Sequence, residues 1–188
     1  PKQVKKFKPL CLFISYSGNT EETLSGISDA KANNFDWMVI SSGGKLIDMA
    51  KNEGKEYIKV PSGLQPRAAF GYLTLAVSKI VDVVEGSNYV SQLNDVSLYI
   101  DKLSDKGDES DINKLSIDIC QSINKKTVII YSGTDMSRVV SSRWKTQINE
   151  NAKSKAFIGN LPEVHHNEIL SWDADKDGSK KNYIVIFI

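Results

Sequence analysis

Several residue types that often reveal a protein's chemistry are scarce in this chain. Two cysteines and two histidines occur among 188 residues, so the sequence offers neither a disulfide framework nor a cluster of zinc ligands. The 24 basic residues are balanced by 23 acidic ones, which gives no argument for binding nucleic acid. No apolar run approaches the roughly 20 residues of a membrane-spanning helix. The composition therefore indicates neither a nucleic-acid nor a membrane partner, and the two unpatterned cysteines predict a cytoplasmic protein.

The chain does contain enough apolar residues for a hydrophobic core. Hydrophobic side chains make up 40% of the sequence, and the length suits one large or two small domains. The first residue is Pro1 instead of Met, and a strand-like run continues to Ile188. We therefore expect the sequence to be a fragment truncated at both ends.

Short β-type runs alternate with segments of helical length along most of the chain. The predicted strands are 10–14, 37–40, 57–60, 127–131, 155–158 and 182–188. The predicted helices are 20–32, 45–52, 66–84 and 136–152. Strands that alternate with helices are typical of a parallel sheet covered on both faces. The pattern predicts an α/β fold with a doubly wound parallel sheet.

The segment 91–126 differs from this alternation. It is polar, has a predicted turn at 104–111, and carries apolar residues at helical intervals, namely Ile112, Leu115, Ile119 and Ile123. We interpret it as a helical connector between two α/β halves, residues 1–90 and 127–188. A short similarity supports two halves, because LFISYSGNTEET and VIIYSGTDMSRV both pass from an apolar strand through Tyr-Ser-Gly into a helix. The similarity is too short to prove a repeat.

Three loops rich in hydroxyl groups or glycine follow predicted strands. They are SYSGNTEET at 15–23, SSGGKL at 41–46 and YSGTDMS at 131–137. Parallel α/β sheets bind ligands where strands end and helices begin, so we expect the three loops to meet in one crevice that takes an anionic small molecule. Taken alone, SSGGKL is typical of a tight turn, since it lacks the first glycine and final hydroxyl of a P-loop.

The first of these loops has two interpretations. In one, Asn19 or Thr20 caps the following helix and satisfies its first N–H groups. In the other, Ser15, Ser17 and Thr20 surround an anion that the helix N-terminus also attracts. The residues alone leave both interpretations open.

Both histidines occur in the stretch PEVHHNEIL, residues 162–170. Adjacent side chains generally point in different directions, so this pair favours one acid–base histidine over a metal site. Nearby, DADKDG at 173–178 begins like a calcium-binding EF-hand loop. Ile184 stands where that loop needs Glu, so we predict a solvated turn.

Five motifs in order resemble those of the bifunctional phosphoglucose/phosphomannose isomerases. They are ISYSGNTEET, ISSGGKL, PSGLQPRAAFGYL, QINENAKSKAF and LPEVHHNEI. The resemblance implies two flavodoxin-like sugar isomerase (SIS) domains, so 1–90 would be part of the first and 127–188 part of the second. It also implies interconversion of glucose 6-phosphate, and mannose 6-phosphate, with fructose 6-phosphate through an enediolate. That reaction belongs to glycolysis and gluconeogenesis and needs no cofactor or metal.

The resemblance assigns roles to individual residues of this sequence. It implies that the sugar phosphate is bound by three hydroxyl side chains, Ser15, Ser17 and Thr20. It further implies that Arg67 stabilises the enediolate, that Glu150 moves the proton between C1 and C2, and that His166 assists ring opening. His165 stands where relatives commonly carry Asn, so it receives no role. Further candidate substrate contacts are Ser42, Gly43 and Gly44.

The resemblance also implies a homodimer with shared active sites, in which His166 reaches in from the partner subunit. Two alternatives remain, namely a non-catalytic SIS regulator that binds a sugar phosphate, and an SIS isomerase for another sugar phosphate. A regulator has no use for Arg67, Glu150 and His166 together. Their joint presence favours the enzyme. The family's first strand, its first phosphate loop and the end of its second SIS domain have no match in this sequence.

Overall fold

The computed structural model describes residues 7–104, 107, 110–174 and 176–188, and the chain divides into two compact units, Pro1–Tyr99 and Ile100–Ile188. Each unit contains a three-stranded, all-parallel sheet with helices. The predicted α/β class is therefore confirmed. The predicted domain limits, with a connector at 91–126, stay a prediction.

Strands and helices alternate through the first unit. The elements are β1 (Leu10–Ile14), α1 (Glu21–Ala32), β2 (Asp36–Ser41), α2 (Gly44–Asn52), β3 (Tyr57–Lys59), a 3-10 turn (Pro66–Ala69), α3 (Phe70–Glu85) and α4 (Tyr89–Ser104), whose last turns extend into the second unit. The sheet order is β1-β2-β3. Because all three strands are parallel, their carboxyl ends and the loops that follow lie at one edge of the sheet.

The central strand β2 carries the core of the first unit. Successive side chains of a strand point to opposite faces, and Trp37 and Val39 pack on one face against Ile27 of α1 and Leu46 of α2. Ile40 packs on the other face with Val60, Ala69 and Ala76. Both faces of this sheet are thus covered, as the buried apolar run of β2 predicts.

The second unit repeats the α/β plan with a different strand order. Its elements are α5 (Asp111–Ile123), β4 (Thr127–Ser132), α6 (Asp135–Asn151), β5 (Ala156–Asn160), α7 (Glu163–Asn167), α8 (Ile169–Ala174), a 3-10 turn (Ser179–Asn182) and β6 (Tyr183–Phe187). The order β5-β4-β6 places β4 in the centre, with Val128 and Ile130 fully buried. β5 lies on one side of β4 and β6 on the other, so the strand order switches direction at β4. Parallel α/β sheets often bind ligands at such a switch point.

All six predicted strands are present, with ends that differ by at most two residues. The predicted helix at 66–84 begins instead as a 3-10 turn, and the α-helix starts at Phe70. The two histidines lie in the short helix α7. The predicted turn at 104–111 and the stretch DADKDG fall partly outside the described residues.

The described part of the chain contains no helix that is both long and apolar enough to cross a bilayer. Cys11 is half-buried in β1, and Cys120 is exposed on α5. Neither forms a disulfide in the structure as described.

Candidate active site

The three hydroxyl groups predicted to bind phosphate lie together after β1, in residues 15–20, which we call the hydroxyl loop. Ser15 Oγ is 2.7 Å from Thr20 Oγ1 and 3.5 Å from Ser17 Oγ. Ser15 is buried, whereas Ser17 and Thr20 are exposed. The structure therefore brings together all three side chains and leaves two of them accessible to a ligand.

The N-terminus of α1, which follows the hydroxyl loop, lacks a side-chain cap over the residues that the structure describes. Thr20 occupies the N-cap position, but its hydroxyl bonds to Ser15 instead of the helix backbone. Asn19 accepts a hydrogen bond from the Lys45 N–H at 3.1 Å and so caps α2. The capping interpretation is therefore wrong for α1. Its first backbone N–H groups are available to an anion.

The second predicted loop, SSGGKL at 41–46, is held against the hydroxyl loop, and we call its residues 41–44 the glycine loop. Ser42 donates to the Tyr16 carbonyl through its backbone N–H at 3.0 Å and through Oγ at 2.6 Å. The Leu46 N–H donates to the Gly18 carbonyl at 3.0 Å. These bonds bring the candidate contacts Ser42, Gly43 and Gly44 beside the proposed phosphate site.

Two glycines permit this close approach of the loops. Gly18 has φ +70° and Gly44 has φ +69°, in the left-handed region that side chains disfavour. A Cβ on Gly18 would overlap the Gly43 carbonyl oxygen, and one on Gly44 would overlap the Ser17 carbonyl oxygen. Each loop therefore requires glycine where it touches the other.

Arg67 lies on the 3-10 turn that follows β3, and it is half-buried. The buried side chain of Tyr16 connects the hydroxyl loop to this segment. The Tyr16 hydroxyl donates to the Pro61 carbonyl at 3.0 Å and accepts from the Leu64 N–H at 2.9 Å. One phenol oxygen thus fixes the chain three residues before Arg67.

The third predicted loop follows a strand of a different sheet from the one that carries the first two. It follows β4, in the sheet of the second unit, so the expectation that three loops meet at one sheet edge is wrong. Its hydroxyl groups are used locally. Thr134 Oγ1 accepts from the Ser137 N–H at 3.2 Å, and Ser137 Oγ accepts from the Thr134 N–H at 2.9 Å. This reciprocal pair is a capping box for α6.

Glu150 and His166 are both exposed, and the second unit does not bring them together. Glu150 is the penultimate residue of α6. This helix has 17 residues and so is about 25 Å long. This helix runs back from the carboxyl end of β4 to the beginning of β5, whereas His166 follows the end of β5. Glu150 therefore lies near the amino ends of the strands and His166 near their carboxyl ends.

His165, the neighbour without a predicted role, lines a pocket of about 230 Å³ in the second unit. The other lining residues are mostly apolar or aromatic, namely Tyr131, Leu161, Val164, Ile169, Trp172, Val185 and Phe187. His166 is not among the lining residues. This wall does not offer the several polar donors that a sugar phosphate requires.

Sequence reasoning missed the structural roles of Asn19, of Tyr16 and of Tyr131, whose hydroxyl bonds to Glu168 and Trp172. Asn19 caps a helix 26 residues away in the sequence, which no local pattern reveals. The two tyrosines did carry a signal, because both belong to the Tyr-Ser-Gly similarity between the halves.

The chain resembles known sugar isomerases in sequence. Residues 112–188 match the family of the bacterial phospho-glucose isomerase C-terminal SIS domain. A bifunctional phosphoglucose/phosphomannose isomerase of Aquifex aeolicus is 36% identical over 180 residues, which cover 95% of this chain and 52% of the relative. One of Thermoplasma acidophilum is 37% identical over 165 residues, or 84% of this chain and 46% of the relative. The chain belongs to this isomerase family.

A further relative of similar identity is named as a different enzyme. A D-glucosamine-6-phosphate 4-epimerase of Sulfolobus acidocaldarius is 35% identical over 163 residues, covering 86% of this chain and 50% of the epimerase. The chain spans about half the length of the curated relatives it matches. Family membership therefore leaves the activity of the whole protein to be proposed.

Solved structures confirm the SIS-type fold. A hypothetical protein of Thermus thermophilus matches with a TM-score of 0.68 at 15% identity, covering 99% of this chain and 49% of that protein. A glucosamine-6-phosphate deaminase of Thermotoga maritima matches with a TM-score of 0.64 at 14% identity, covering 99% of this chain and 64% of the deaminase. At such low identity these two structures establish the fold alone.

Proposed function

We propose that this chain is part of an isomerase that interconverts glucose 6-phosphate, and mannose 6-phosphate, with fructose 6-phosphate. The observation that carries the proposal is the cluster of Ser15, Ser17 and Thr20 beside an uncapped helix N-terminus. This cluster occurs in a chain 36% identical to a bifunctional phosphoglucose/phosphomannose isomerase. We further propose that the enzyme is a cytoplasmic homodimer.

The phosphate group of the substrate would bind at the hydroxyl loop. Ser17 and Thr20 are exposed and can donate hydrogen bonds to phosphate oxygens. The first N–H groups of α1 add donors and a favourable helix dipole. Buried Ser15 bonds to Thr20 at 2.7 Å and so fixes the side of the site nearest the sheet. The phosphate is remote from the reacting carbons, so its binding energy would position them.

Glu150 would carry out the proton transfer. Its carboxylate removes the proton from C2 of the aldose, the electrons of that C–H bond form the enediolate, and the carbonyl oxygen at C1 gains the negative charge. The permanently charged guanidinium of Arg67 would stabilise this oxygen. Glu150 then returns the proton to C1, which gives the ketose after a proton moves between the two oxygens. In the reverse direction, protonation on either face of C2 yields glucose 6-phosphate or mannose 6-phosphate.

His166 would open the sugar ring before proton transfer. Ring opening moves a proton from the C1 hydroxyl to the ring oxygen, and imidazole exchanges protons near neutral pH. Glu150 and His166 lie near opposite ends of the strands of their sheet. This separation supports a homodimer in which the His166 that serves one site comes from the partner subunit.

A second candidate function is catalysis on another sugar phosphate. The Sulfolobus acidocaldarius relative named D-glucosamine-6-phosphate 4-epimerase favours this possibility, since it is nearly as similar as the isomerases. The phosphate site would be shared by both candidates. They differ in the carbon at which the substrate changes, which a product analysis distinguishes.

Replacing Ser17 and Thr20 together by Ala is expected to raise KM by at least about tenfold, because each hydroxyl would lose a hydrogen bond to a charged group. The turnover number kcat should change little, since the phosphate group is the same in the bound substrate and in the transition state. Steady-state kinetics of the full-length protein with fructose 6-phosphate measure both constants.

The matched control for this variant is Ser28→Ala, on the exposed part of α1 outside the hydroxyl loop. It should leave KM at the wild-type value. Unchanged sugar phosphate affinity in the Ser17→Ala, Thr20→Ala variant would move the phosphate site elsewhere.

A further inference from the structure

Tyr131, near the end of β4, is a buried side chain to which the sequence assigns no role. Its ring packs over Gly159 of the neighbouring strand, where an added Cβ would lie 2.7 Å from both the Tyr131 ring and Val164. The Phe187 ring of β6 lies 5.6 Å away, centroid to centroid. Tyr131 is therefore fixed between the two outer strands of the sheet.

The hydroxyl group of Tyr131 bridges two residues of the segment that follows β5. It donates to Glu168 Oε2 at 3.1 Å and accepts from Trp172 Nε1 at 2.9 Å. Burial raises the pKa of Tyr131, the bond from Trp172 opposes this shift, and the Glu168 carboxylate adds to it. The phenol therefore stays protonated at neutral pH and remains a donor to Glu168.

Glu168 is the junction between α7 and α8. Its backbone N–H donates to the Val164 carbonyl at 2.9 Å and closes α7, and its carbonyl accepts from the Ser171 N–H at 2.9 Å and begins α8. His166 lies two residues before this junction. Because α7 has five residues, far fewer than a self-sustaining helix needs, its position depends on tertiary contacts.

The first unit contains the same arrangement. Tyr16 belongs to the matching Tyr-Ser-Gly, and its hydroxyl also donates to one group and accepts from another, Pro61 O and Leu64 N. That segment leads to Arg67. In each unit, the tyrosine of the repeated tripeptide thus holds a segment that carries a proposed catalytic residue.

We propose that Tyr131 is a positioning residue whose hydroxyl, through Glu168 and Trp172, orients the helix that carries His166. This inference rests on the proposed role of His166 in ring opening. Tyr131 itself need not contact the substrate. Its contribution is to hold the α7–α8 junction in one geometry, which catalytic side chains require within a fraction of an ångström.

The variant that tests this is Tyr131→Phe, which keeps the ring packing and removes only the hydroxyl. We expect kcat to fall by about 10- to 100-fold with little change in KM, as is typical when a catalytic group is misplaced. In a His166→Ala background, Tyr131→Phe should cause no further loss, because both changes act on the same step. The control Tyr16→Phe should lower activity by the same factor with or without His166, since the Tyr16 hydroxyl holds the segment that leads to Arg67.

A structural measurement completes the test without reference to activity. Amide hydrogen exchange followed by mass spectrometry should show faster exchange over residues 163–171 in Tyr131→Phe, and unchanged exchange over 10–60. Glu168→Ala should reproduce both the kinetic and the exchange effects. Glu168→Gln keeps an acceptor oxygen for the Tyr131 hydroxyl and should restore most of the activity.

Three outcomes are decisive. Unchanged exchange over 163–171 in Tyr131→Phe overturns the proposal, because the hydroxyl then does not hold the junction. Independent, multiplicative losses from Tyr131→Phe and His166→Ala overturn it as well. Wild-type turnover in His166→Ala would instead contradict the proposed function of His166, and the exchange data would still decide whether Tyr131 holds α7.

Discussion

Replacing Glu150 by Gln is expected to lower kcat of the full-length protein by about 10² to 10⁴-fold, the usual contribution of a general base. Gln keeps the size of the side chain but has no basic carboxylate to take the C2 proton. Since Glu150 is exposed at the end of α6, the substitution should leave stability nearly unchanged. Sugar phosphate binding should survive, because the hydroxyl loop is intact.

Two measurements test the role of Glu150 in this variant. The first is the isomerisation rate, and the second is exchange of the substrate's C2 proton with deuterated water, which requires the enediolate. Both should fall together in Glu150→Gln. Glu85→Gln is the matched control, because Glu85 is also an exposed acid at a helix end, and it should behave as wild type. Wild-type rates in Glu150→Gln would contradict the proton-transfer role of Glu150.

Replacing Gly18 by Ala is expected to destabilise the protein by about 2 to 4 kcal/mol, a large effect for one methyl group. Two costs add in this variant. Alanine is strained at φ +70°, and its Cβ would overlap the carbonyl oxygen of Gly43, so the glycine loop must move. Denaturant-induced unfolding of Gly18→Ala and of the wild-type protein measures the difference in unfolding free energy.

Gly43→Ala is the matched control for this stability test. Gly43 has φ 168°, which is extended backbone, and no neighbouring atom lies within 4 Å of an added Cβ. We expect a change in unfolding free energy of at most about 0.5 kcal/mol. Equal stabilities of Gly18→Ala and Gly43→Ala would show that the two loops are not interlocked as described.

The strands were predictable from the sequence because buried strands consist of short runs of apolar residues. The run from Trp37 to Ile40 is continuously apolar, as a central strand covered on both faces must be. Its observed limits, Asp36–Ser41, differ from the prediction by one residue at each end. The helices on either side were predictable for the same reason, since their apolar residues recur at the helical period.

The contacts that shape the candidate site were not predictable in this way. Asn19 bonds to Lys45, Tyr16 to Leu64 and Tyr131 to Glu168. Each pair is separated by 26 to 48 residues, so the bond depends on how the chain folds back and leaves no periodic signal. The capping interpretation of Thr20 was wrong for a different reason, because the Thr20 hydroxyl bonds to the nearby Ser15 instead of the helix backbone.

The clustering of the phosphate-binding candidates was predictable from the sequence. Ser15, Ser17 and Thr20 occur within six residues, so one tight loop necessarily gathers them. The third loop resembles the first in sequence but follows a strand of a separate sheet. The catalytic roles of Arg67, Glu150 and His166 stay predictions drawn from the family resemblance.

The most direct test of the proposed isomerase is product analysis of the full-length protein with fructose 6-phosphate in deuterated water. NMR distinguishes glucose 6-phosphate from mannose 6-phosphate and reports deuterium at C2 of each. We expect both aldoses to appear, with deuterium at C2 in a part of the product, because the enediolate can be protonated on either face. Binding of fructose 6-phosphate without formation of either aldose would contradict the proposed function, and a change at C4 of glucosamine 6-phosphate instead would identify an epimerase.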